Sequence, residues 1–140
     1  MHYPTPNIPL SLSVAAPRLL EAAQEVYDAW EQVDGFDSEL GAGGICQDIA
    51  SRMVDALSSL GIDDALCFHA SVGENHVYVV ASIPADGVYA IDIPPQVYET
   101  GSGYVWRRKD GVVFDLDDLV IDRIAEAMDA DEFQKTYGEW

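Results

Sequence analysis

Basic side chains are scarce in this chain. Seven Lys and Arg, of which only Lys109 and Lys135 are lysines, stand against 25 Asp and Glu, for a formal net charge of −18 over 140 residues. A field of that sign repels phosphate backbones and anionic headgroups, so direct binding to nucleic acid or to a membrane surface is not expected, whereas a basic protein partner is compatible with it. Cysteine is scarce too: Cys46 and Cys67 could form one bridge at most, which is no disulfide framework. Long apolar runs are missing, the longest being strand-sized stretches such as "VYVVASI". The first residues, "MHYPTPNIPLSLSVAAP", hold no Lys or Arg ahead of an apolar core and are broken by proline, so they do not read as a signal peptide. The expectation is a cytoplasmic protein with free thiols.

Ligand sets for metals are also missing. Cys67, His69 and His76 are too few for a closed zinc site, and "DLDDLVIDRIAE" lacks the central glycine of a calcium loop. No metal and no cofactor are expected. The acidity is spread along the chain, with 16 Asp and 9 Glu. Such a distribution fits either a high-salt cytoplasm, where screening shortens repulsion, or a mimic of nucleic-acid charge.

Nearly half of the residues are apolar, and a chain of this length can bury a core of its own. The prolines at 4, 6 and 9 predict an extended arm over residues 1–16, followed by one domain over 17–140. Pro17 suits a first helical position, and Leu19, Ala22, Ala23, Val26, Tyr27, Trp30 and Val33 recur at helical spacing. A glycine-rich loop, "DGFDSELGAGG", precedes a second helix with the stripe Cys46, Ile49, Met53, Leu57 and Leu60, stopped by Gly61. The pattern then becomes strand-like in "ALCFHASV", "HVYVVASI" and "GVYAIDI", with "PADG" as a hairpin turn. "PPQVYETGSG" reads as a loop or short helix, and "YVWRRKDGVVF" as a further strand or hairpin turning at Asp110 and Gly111. Asp115 is placed to cap a last helix, "LDDLVIDRIAEAMDA". Together these predict an α+β fold, with helices packed on a mainly antiparallel sheet of three to five strands.

The stretch "GGICQDIASRMVDAL" raises the chemical question. A thiol in the first turn of a helix lies near unsatisfied amide N–H groups and the positive end of the dipole, both of which stabilise a thiolate. The glycines at 41, 43 and 44 clear an approach for a substrate carbonyl, and the Cys46 N–H is a candidate oxyanion donor. Such a nucleophile needs an imidazole to move protons and a carboxylate to orient it. His76 opens the second strand and Asp92 lies on the third. For the two to share a face, Tyr78 must stand opposite Asp92, which requires an odd number of loop residues in the hairpin or a bulge. Cys67 and His69 form a competing pair, but a mid-strand thiol lacks the helix start and the glycines. Trp106, Arg107 and Arg108 read as a solvated strand end, with an anion site as the less favoured alternative.

The segments "GGICQDIASRMVDALSSLGI", "NHVYVVAS" and "GVYAIDIPP" together resemble the core of the transglutaminase-like branch of the papain-like cysteine enzymes, over residues 43–95. The resemblance implies a papain-like core, with Cys46 as nucleophile, His76 as base and acid, and Asp92 as the residue orienting His76. The implied activity is a hydrolase or acyl transferase acting on an amide, peptide or isopeptide bond of a peptide or protein substrate. The stretch before the cysteine departs from the family pattern, because "SELGAGGI" holds no amide side chain for an oxyanion hole. Ser38, Gly44 and Gln47 are the near-site candidates for that role. The alternative is an acidic binding protein without catalysis, either a nucleic-acid mimic or an inactive relative of the enzymes.

Overall fold

Apolar residues three and four apart place one buried stripe on each of the first two helices, and those stripes meet a sheet that is apolar on both faces. The computed structural model of the chain describes residues 8–32, 41–69, 77–102 and 105–137. The fold is α+β. Helices α1 (Leu10–Glu31) and α2 (Gly41–Ser59) are followed by strands β1 (Ala65–His69), β2 (Val77–Ile83) and β3 (Gly87–Asp92). A hairpin of β4 (Glu99–Ser102) and β5 (Val105–Arg108), strand β6 (Val120–Ala125) and helix α3 (Ala130–Tyr137) complete it. The main sheet runs β1-β2-β3-β6 with every neighbouring pair antiparallel, and β4-β5 stands as a second, two-stranded sheet.

Helix α1 begins at Leu10, so the part of the expected arm over 10–16 is helical and Pro17 lies inside the helix. Leu12, Ala15 and Ala16 are buried and continue the stripe of Leu19, Ala22, Ala23, Val26 and Tyr27 by two further turns. A proline there removes one N–H and frees the carbonyl of Ser13, an exposed residue whose carbonyl water can satisfy. Helix α2 buries Ile45, Cys46, Ile49, Ala50, Met53, Ala56 and Leu57, while Leu60, expected in the stripe, is 47% exposed. Gly61 ends it as expected. Its φ of +88° lets the Ile62 N–H reach back to the Leu57 carbonyl at 2.9 Å.

The sheet is buried on both faces. Val77, Val79, Ala81, Tyr89, Ile91 and Ile93 pack with α1 and α2, whereas Phe68, Val80 and Val88 pack with Ala130 and Phe133 of α3. Residues Ile83 to Asp86 close the β2-β3 hairpin, with the Asp86 N–H on the Ile83 carbonyl at 3.0 Å. Three residues, Pro84, Ala85 and Asp86, lie between the strands, and Val79 stands opposite Ile91 and Val80 opposite Ala90. This is the odd-numbered loop that the expected register required.

The predicted last helix over 116–130 is not formed. Asp115 caps only a 3-10 turn, Leu116–Asp118, in a reciprocal capping box with Asp118, and Val120–Ala125 is a strand. Tertiary context decides this. Strand β3 buries Tyr89 and Ile91 and has an open edge, and the β-branched Val120 and Ile121 supply a partner for it. Ile124 is skipped in the pairing, since Tyr89 faces Arg123 and Val88 faces Ala125. That bulge turns Ala125 toward the α3 side, where it packs with the second cluster.

Strands β4 and β5 pair from Glu99 opposite Arg108 to Ser102 opposite Val105, so this hairpin does not turn at Asp110 and Gly111. Residues 109–114 run instead along α1. The Tyr27 hydroxyl donates to the Lys109 carbonyl, and the Gln24 side chain takes the Phe114 N–H at 2.8 Å and donates to the Val112 carbonyl at 3.0 Å. Among the described residues no helix is long and apolar enough to cross a membrane, and no cluster of His, Cys, Asp and Glu could hold a metal ion.

Candidate active site

Cys46 lies in the second turn of α2, not in the first. The helix runs through the glycines from Gly41, so Cys46 is its sixth residue and its own N–H serves the helical ladder. The helix end is then roughly 7–8 Å away along the axis, beyond the turn over which the dipole is effective. The expected contributions of the Cys46 N–H and of the helix end to thiolate chemistry are therefore absent. Gly44 belongs to the same helical backbone. The side chain is also closed in: Cys46 is 2% exposed, while Cys67 is half-buried. The thiol of Cys67 is pushed above its ordinary value, chiefly by burial and further by the Asp55 carboxylate.

A different amide reaches the Cys46 sulfur. The Val77 backbone N–H donates to Cys46 Sγ with N···S 3.4 Å. Amide directions alternate along a strand, and the Ser82 N–H points to β1, where it meets the Asp64 carbonyl at 2.8 Å. Val77, five residues earlier, therefore aims its N–H toward β3. The sulfur sits at the end of the β2-β3 ladder and takes the donor that a longer β3 would otherwise take.

Asp92 ends β3 at the same edge of the sheet. Extending the register from Val79 and Ile91 puts it opposite Tyr78, and it is half-buried. Alternation sets Asp92 on the α3 side, with Tyr78 and Val80, whereas Cys46 packs on the α1-α2 side. The two approach one edge from opposite faces. Burial, and secondarily the Asp92 charge, push the Tyr78 phenol up.

Tyr98 and Glu99 join this edge, and neither is singled out by the sequence. Pro95–Val97 forms a 3-10 turn that ends at Tyr98, whose N–H meets the Pro95 carbonyl at 3.1 Å and whose carbonyl accepts the Lys109 N–H at 2.9 Å. The ring is clamped edge-on between Trp30, centroids 6.2 Å apart, and Phe114, 6.3 Å. Tyr98 is fully buried, and its hydroxyl has no hydrogen-bond partner among the described residues. Its ionisation is held far above the ordinary phenol value, first by burial and then by the nearby Cys46, Asp92 and Glu99. Glu99 is itself buried at 2% exposure. Nothing in the pattern of "PPQVYETGSG" marks either residue.

Of the residues expected in the site, the structure thus sets Cys46 and Asp92 at the same end of the β2-β3 pair, on opposite faces of the sheet. Gln47 is exposed on the solvent side of α2 and takes no part in it. His76 and Ser38 lie outside the described residues, as do the side chains of His69, Trp106, Arg107 and Arg108. No family model, curated protein or solved structure matches the chain.

Proposed function

We propose that the chain is a cysteine-dependent hydrolase or acyl transferase acting on an amide bond of a peptide or protein, with Cys46 as nucleophile, His76 as proton shuttle and Asp92 orienting the imidazole. The reading rests chiefly on the Val77 amide, 3.4 Å from Cys46 Sγ. Val77 follows His76 directly in the chain, so the imidazole is tethered one peptide bond from the group that holds the sulfur. Asp92 ends the neighbouring strand, opposite Tyr78 by register, which supports it as the carboxylate that would fix the tautomer of that imidazole. The papain-like relationship and a cytoplasmic location belong to the same proposal.

Alkylation of native Cys46 by iodoacetamide at neutral pH tests it. A thiol activated by His76 reacts faster than free cysteine, and His76→Ala removes that excess. Modification of Cys46 only on unfolding would refute the enzyme reading. One observation favours a second reading, in which the chain is an acidic, non-catalytic binder of a basic protein: Cys46 is 2% exposed. In that case Cys46→Ser leaves the biological activity whole, whereas the enzyme loses several orders of magnitude in rate.

A further inference from the structure

Acyl transfer at Cys46 needs a hydrogen-bond donor for the oxygen that gains charge as the thiolate adds. Three sources drop out. No amide side chain stands just before Cys46 in "SELGAGGI", and the Cys46 N–H is engaged in α2. Gln47 points to solvent.

We infer that Tyr98 is the oxyanion donor of this site, its hydroxyl hydrogen-bonding the acyl oxygen of the substrate while Cys46 is acylated. The inference rests on Cys46 being the nucleophile. Tyr98 is fully buried in the same cluster as Cys46, and its hydroxyl has no partner among the described residues. Burying a hydroxyl without a partner is costly, and phenylalanine would fill the space between Trp30 and Phe114 equally well. A vacant donor in that position is what an incoming acceptor would use. Because burial and the surrounding Cys46, Asp92 and Glu99 hold the phenol protonated, it donates without losing its proton.

In the step, the Cys46 thiolate forms a C–S bond and the carbonyl π pair moves onto oxygen, which Tyr98 stabilises by a hydrogen bond. The C=O bond then re-forms as the C–N bond breaks, and the leaving nitrogen takes the proton that His76 received from the thiol. Water or an amine afterwards attacks the thioester and regenerates Cys46.

Two reagents separate this role from others. Acetylation by p-nitrophenyl acetate builds an oxyanion, whereas alkylation by iodoacetamide displaces iodide and builds none. Both are followed at Cys46 by peptide mass in a Cys67→Ala background, with and without Tyr98→Phe, alongside thermal melting. Tyr98→Phe is expected to slow acetylation by about 10²–10³-fold, to leave alkylation within about two-fold, and to leave melting unchanged or raised. Unchanged acetylation overturns the role of Tyr98 and leaves Cys46 as nucleophile. A parallel fall in both reactions, or lower melting, also overturns it, since the hydroxyl would then serve the thiolate or the fold. If Cys46 is not acetylated even with Tyr98 present, the nucleophile assignment fails, and the Tyr98 role fails with it.

Discussion

Tyr98→Phe should stabilise the protein, and stabilise it more as the pH rises. At neutral pH the phenol is protonated in both folded and unfolded chains, so the difference comes from the hydroxyl alone. It is buried without a partner among the described residues, and deleting such a group recovers roughly 1 kcal/mol of desolvation cost. Above the ordinary phenol pKa of 10.0 the unfolded chain releases a proton that folded Tyr98 retains. The folded-state pKa is raised, so stability is complete below the unfolded value and falls as the pH climbs past it. One unit above that value, near pH 11, the loss is about 1.4 kcal/mol for this one group. The variant has no such group, so its advantage should grow from about 1 to about 2.4 kcal/mol between neutral pH and pH 11. Urea unfolding of both proteins across that range measures the gap directly, and contributions from the other tyrosines cancel in the difference. A gap that stays flat with pH, or a variant less stable at neutral pH, would refute the placement of the Tyr98 hydroxyl in a dry position with no partner among the described residues.

The hairpin turn carries Pro84 at its second position and Ala85 with φ +63° at its third, the geometry of a type II turn that favours glycine. Ala85→Gly should therefore raise stability by roughly 0.5–1 kcal/mol, or about 2–4 °C in melting temperature, and a fall would contradict the turn assignment. Gly87→Ala should cost about 2 kcal/mol, because the new Cβ would lie 2.7 Å from the Ala125 carbonyl oxygen, which moves only if the β3-β6 ladder moves. Wild-type stability in that variant would show that β6 is not held as described. Cys67 should alkylate slowly at neutral pH despite its partial exposure, and Asp55→Asn should shift its pH profile downward, since the carboxylate is the secondary cause that raises the thiol. An unmoved profile would remove Asp55 from the Cys67 environment.

The first three strands, most of the stripes of both long helices, the Gly61 stop and the hairpin turn at "PADG" are legible in the sequence. Each depends on a local rule: helical or alternating periodicity, a left-handed glycine, or proline at a turn. The legible part of the candidate site stops at Cys46 and Asp92, the residue types expected of a nucleophile and its remote partner. What the sequence could not decide depended on contacts between distant segments. Leu116 to Ala130 carries enough charge and alanine to pass for a helix, and Val120 to Ala125 became a strand because β3 had an edge to pair. The glycines before Cys46 looked like a loop, yet α2 continues through them and moves the thiol out of the first turn. Tyr98 and Glu99 carry no pattern at all. Their burial follows from α1 pinning residues 109–114, which in turn holds the Tyr98 carbonyl, a chain of hydrogen bonds spanning more than eighty residues. Local propensity is written residue by residue, but whether a polar group ends in water or in the core is settled only when distant segments close over it.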